Sequence, residues 1–115
     1  MKKLVLLLLA TIVIVCSCKK DKKIDEITYE VTLSNSSTWH GAYVNENAQA
    51  IGVQNEVNNW KYSFKNVNDL SVAMLQAYAD GLGTGADANM IIYLNGNLVA
   101  SGKSSISPQV SYQFR

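Results

Sequence analysis

Ile27-Thr28-Tyr29-Glu30-Val31-Thr32-Leu33 decides the fold class. Large apolar side chains stand at every second position and polar ones fill the gaps. Successive side chains of a strand point to opposite faces, so this alternation predicts a strand with one buried and one wet side. A helix would bring apolar residues together every three or four positions, and that spacing is absent here.

The same period recurs along the chain. Trp60, Tyr62 and Phe64 alternate with Lys61, Ser63 and Lys65, and Val110, Tyr112 and Phe114 alternate with Ser111 and Gln113. Thr38 to Val44 reads as a strand with Trp39, Gly41 and Tyr43 on one face. Ala48 to Val53 is a weaker strand, followed by a turn-like Asn55 to Asn59. Leu70 to Tyr78 is apolar on both parities. It fits a central strand covered on both faces or a short helix, and strand is preferred because its neighbours are strands. Met90 to Leu94 and Leu98 to Lys103 flank Asn95-Gly96, the pair that a type I′ hairpin turn requires because both positions take positive φ. Pro108 precedes the last strand, where its missing N–H does little harm. Seven or eight short strands in about 90 residues, with frequent turn signals, predict an all-β antiparallel sandwich or small barrel over residues 27–115.

The N-terminus has another character. Met1-Lys2-Lys3 is basic, and Leu4 to Val15 is apolar apart from Thr11. This run is shorter than the roughly 20 residues of a membrane-spanning helix. A basic start, a short apolar run and a small residue form the pattern of a cleaved export signal. Val15-Cys16-Ser17-Cys18 resembles the bacterial lipobox, which implies cleavage between Ser17 and Cys18 and a diacylglycerol on the Cys18 thiol. Two or more acyl chains anchor a protein stably. Residues 1–17 are thus expected to be a lipoprotein signal peptide, and 18–26 a lipidated cysteine with a charged linker. Lys19, Lys20, Lys22 and Lys23 lie where they would meet a bilayer surface. The Ser-Cys-Lys-Lys-Asp start resembles many lipoproteins of the Bacteroidetes, in which charged residues after the cysteine can direct display on the cell surface. The outer membrane is the expected location.

From Ile24 onward, four cations face eight acids, a net charge of −4. Nucleic acid is a poor partner for such a domain, because binding phosphates requires clustered Lys and Arg. After cleavage one cysteine remains, so no disulfide supports the domain.

No catalytic set emerges. His40 is the only histidine, whereas zinc takes three or four ligands. Gly81-Leu82-Gly83-Thr84-Gly85 imitates a phosphate loop but leads into a strand where a dinucleotide site needs a helix. Asp80, Asp87 and Asn89 are oxygen donors around that loop, too few for calcium's six to eight ligands and without EF-hand spacing. No cofactor and no metal are expected. Trp39, His40 and Tyr43 are the candidate partner contacts, on a strand rich in small residues. The competing reading places the two aromatics in the core.

Four stretches follow one another in a recognisable order: Ile27-Thr28-Tyr29-Glu30-Val31-Thr32, Asn59-Trp60-Lys61-Tyr62-Ser63-Phe64, Leu70-Ser71-Val72-Ala73, and Met90 to Ala100 with its Asn-Gly turn. This order resembles the MmpS family of membrane-anchored proteins. The resemblance implies an immunoglobulin-like β-sandwich and a non-enzymatic accessory role beside RND-type exporters of lipids or siderophores. The sequence departs from that family in carrying a lipid-type anchor instead of a transmembrane helix. It also lacks a late-strand cysteine pair, near the positions of Ile92 and Tyr112.

Overall fold

The structure is a computed structural model and describes residues 24–81 and 85–114. The signal segment, the Ser17–Cys18 cleavage site, most of the charged linker and Leu82 to Thr84 of the glycine loop lie outside the described residues. Eight strands run in chain order: β1 Glu26–Ser34, β2 Thr38–Val44, β3 Ala50–Val57, β4 Trp60–Lys65, β5 Val72–Ala79, β6 Asp87–Leu94, β7 Asn97–Lys103 and β8 Gln109–Gln113. They form two four-stranded antiparallel sheets, ordered β4-β1-β6-β7 and β3-β2-β5-β8. The fold is an all-β sandwich of two separate sheets, not a closed small barrel.

The alternation around Tyr29 works as expected. Ile27, Tyr29 and Val31 are fully buried, while Thr28, Glu30 and Thr32 face outward. Across the interior, Ala73, Leu75 and Ala77 of β5 supply the opposing layer, with Ala88, Met90 and Ile92 of β6 beside β1. Segment 72–79 is a strand, as its neighbours demanded. Only one of its faces is fully covered: Val72, Met74 and Gln76 are half-buried and Tyr78 is exposed.

The Tyr29 hydroxyl performs a second task. It donates to the Val44 carbonyl at 2.7 Å and accepts from the Met74 N–H at 3.3 Å. Pairing of β2 with β5 stops at Tyr43 and Leu75. A side chain from the first sheet therefore satisfies backbone groups where two strands of the second sheet diverge, which buried amides require. Burial pushes the Tyr29 hydroxyl far above its ordinary pKa.

Gly41 sets the closeness of β2 and β5. A Cβ there would run into the Gln76 backbone carbonyl. Asn95 and Gly96 have φ of 51° and 83°, as a type I′ turn requires.

Several boundaries shift by one or two residues from expectation, and two strands extend further. β3 continues to Val57 through residues read as a turn. The reason is a β-bulge: Gln54 and Asn55 together oppose His40, and Asn55 takes φ 56°, a conformation that Asn tolerates. β6 begins at Asp87, because Ser104 fixes the strand's start by donating its N–H to the Ala88 carbonyl and accepting the Ala88 N–H on its hydroxyl.

Candidate functional site

The sequence offered Trp39, His40 and Tyr43 as one contact patch. The structure separates them. Trp39 is completely buried and packs edge-on against Trp60 at 5.2 Å, so it belongs to the core and cannot meet a partner. Its Nε1 is the buried side-chain polar atom left without a hydrogen-bond partner among the described residues. Tyr43 is half-buried within an aromatic cluster, 5.3 Å from Trp60, 4.7 Å from Tyr62 and 5.9 Å from Tyr29. This cluster fills the wedge between β2 and the edge strand β4. Burial raises the Tyr43 pKa, and Glu46 and Glu56 add to the shift. Tyr62 is pushed up to about 12, first by burial and then by donating its hydroxyl to Glu46 at 2.8 Å.

His40 alone reaches the surface, with its side chain 51 % exposed. Its Nδ1 lies 2.6 Å from Asp80 Oδ1. A carboxylate only accepts, so Nδ1 carries the proton and Nε2 is left for other partners. The other carboxylate oxygen, Asp80 Oδ2, accepts from Thr38 Oγ1 at 3.0 Å, and Ser36 Oγ donates to the Asp80 carbonyl. The His40 hydrogen bond is the largest cause holding the Asp80 carboxyl below the ordinary carboxylate range. The imidazole also stacks on Tyr78, with centroids 5.2 Å apart and planes 15° from parallel. Thr38, His40, Gln54, Asn55 and Asp80 line an open polar depression of about 390 Å³.

An imidazole oriented by a carboxylate is two-thirds of a nucleophilic triad. The nearby hydroxyls are committed elsewhere: Thr38 and Ser36 donate to Asp80, on the far side of the ring from Nε2. The arrangement thus presents a fixed, polar and aromatic corner suited to hydrogen bonding and stacking.

Asp80 and Asp87, read as oxygen donors around one loop, have separate duties. Burial tends to raise the Asp87 pKa, but donation from the Ser105 N–H and the Ser104 and Ser105 hydroxyls outweighs it and holds the carboxyl low. Those bonds fasten the β7–β8 loop to β6. Among the described residues, no group of three or more His, Cys, Asp or Glu is placed to hold a metal ion.

Sequence reasoning missed the Asp80 and Tyr78 contacts with His40. Both lie about 40 positions away and meet it through strand pairing, His40 opposite Tyr78, for which a single sequence carries no signal. Compared with known proteins, the chain matches no family model and no curated protein.

Proposed function

We propose that this protein is a lipid-anchored, non-enzymatic module of the cell envelope, acting in the manner of the MmpS family as a binding or transport accessory. The lipobox-like Val15-Cys16-Ser17-Cys18 behind a short apolar run carries the reading. The sandwich supports it, because its histidine is braced by Asp80 while the neighbouring hydroxyls serve Asp80.

The anchor orients the domain. Cys18 lies seven residues before Asp25, a covalent reach of about 25 Å. Asp25 and Glu26 bond to Asn66 and Asn95, so the β4–β5 and β6–β7 turns share the membrane-proximal end. The His40–Asp80 corner lies at the opposite end, beside the β1–β2 connection, and faces away from the bilayer. A partner in the envelope, such as an RND-type exporter subunit, would meet the distal end first.

The test has two arms. Cys18→Ser is expected to abolish labelling by radioactive palmitate and to release the protein from the membrane fraction. A photoreactive residue at Ile106, which is 85 % exposed at the distal end, is expected to crosslink an exporter subunit in intact cells. Retained acyl label in Cys18→Ser refutes the anchor, and crosslinks to porins or lipids alone refute the exporter role. The alternative, a surface-exposed module for glycan or host contact through Trp39 and Tyr43, loses Trp39 to the core.

A further inference from the structure

The outward face of the β3-β2-β5-β8 sheet has a composition that folding does not require. Reading across the strands, Gly52, Ala42, Gln76 and Gln109 stand in register in one row. His40 and Tyr78 form the next row, while Met74 with Ser111 and Val72 with Gln113 form those beyond. None of these residues is Lys, Arg, Asp or Glu. The opposite outer face carries Glu30, Lys61, Lys65 and Lys103.

We infer that this face binds a neutral polysaccharide chain. Each primary amide offers two donors and an acceptor in one plane, the pattern that sugar hydroxyls complement. The stacked His40 and Tyr78 rings form an aromatic wall, and Gln76 Nε2 donates to the Tyr78 hydroxyl at 3.1 Å and steadies it. Beside that wall Gly52 and Ala42 leave a low floor, and His40 itself also lines the depression formed with Thr38, Gln54, Asn55 and Asp80. At about 390 Å³ this depression has the size of a small ligand site. Electrostatics select the class of glycan: the domain's net −4 repels polyanions, and among the described residues the face rows hold no Lys or Arg. Folding does not impose the glycine at position 52, since a Cβ there would meet nothing nearer than the Gly41 carbonyl at 4.0 Å.

The inference rests on reading the protein as a binding module, and its test is independent of the anchor and exporter experiments. The full-length protein in detergent is run by affinity electrophoresis through gels containing mannan, mixed-linkage β-glucan or hyaluronan. Retardation by a neutral polymer and none by hyaluronan is expected. Tyr78→Ala weakens it about tenfold, the loss typical of one central contact. Gly52→Leu, which adds bulk on the floor without touching the core, abolishes it, while Lys61→Gln on the opposite face leaves it intact. Indifference to both neutral polymers, equal retardation by hyaluronan, or retardation unchanged in Tyr78→Ala and Gly52→Leu overturns the proposal. Concentration-dependent dimerisation abolished by Gly52→Leu also overturns it, because a second copy would then cover the face.

Discussion

The two outer faces of the sandwich stand in contrast. Both sheets turn their even-numbered or odd-numbered residues inward by the same rule, and their inner faces are alike in apolar content. Outside, one face has Glu30, Lys61, Lys65 and Lys103, with Tyr93 hydrogen-bonded to Glu30, which raises the Tyr93 pKa. The other has amides, small residues, the apolar Val72 and Met74 and one stacked ring pair, with the Asp80 carboxylate at its rim. Burial dictates inward residues and says little about outward ones. A difference between two outer faces of one fold is therefore informative about function, whereas the shared inner pattern is about stability.

The sharpest way to break this contrast is on the β2–β3 pair, where one glycine faces in and another out. Gly41→Ala pushes a methyl into the Gln76 carbonyl and is expected to cost about 3 kcal/mol or more. Gly52→Ala is expected to change stability by less than about 0.5 kcal/mol, or to stabilise slightly. Urea unfolding of both variants checks this, and an equally damaging Gly52→Ala would mean that the outer face is structural after all.

Next in size is the link between the sheets. Tyr29→Phe leaves the Val44 carbonyl and the Met74 N–H without their partner, an expected loss of about 1–3 kcal/mol. The urea midpoint should fall at constant slope, the sign of a stability change without altered compactness.

The tyrosines give an alkaline limb. The folded-state pKa values of Tyr29, Tyr43, Tyr62 and Tyr93 are raised above the ordinary 10.0. Such groups contribute stability that is complete below pH 10 and is lost as pH rises through their folded values. Absorbance titration near 295 nm should show ionisation of these four extending above pH 10. Ionisation of Tyr43 and Tyr62 near pH 10 would contradict the packing around them.

An acid limb separates the two faces' rims. Asp80 and Asp87 have depressed pKa values, so their contribution is present above the ordinary 3.8 and is lost as pH falls below it. Asp87→Asn should flatten the acid limb more than Asp80→Asn, because Asp87 holds three loop donors. The smallest effect is expected from Lys61→Gln with Lys65→Gln, within about 0.5 kcal/mol of the parent protein by thermal unfolding.

Much of the fold was legible because period-two alternation reports directly on which face is buried. Ile27 to Leu33 and Trp60 to Lys65 needed no tertiary knowledge, and Asn95-Gly96 announced its turn through the φ values it permits. Asn55 was opaque, since an asparagine in left-handed backbone looks the same in sequence whether it ends a strand or bulges it. Trp39 was opaque too: alternation assigns it a face, but only the packing of Trp60 from the other sheet shows that face to be sealed.

The sequence by itself determined the strand count to within one, the antiparallel class, the acidic balance of the domain and the lipobox-like start, all of which depend on neighbouring residues or simple sums. Tertiary structure alone decided that His40 meets Asp80 and Tyr78, that Tyr29 joins the two sheets, and that Ala42, Gly52, Gln76 and Gln109 share one row. The physical reason is strand register: residues many positions apart become neighbours through pairings fixed by the whole core, and no local pattern encodes them.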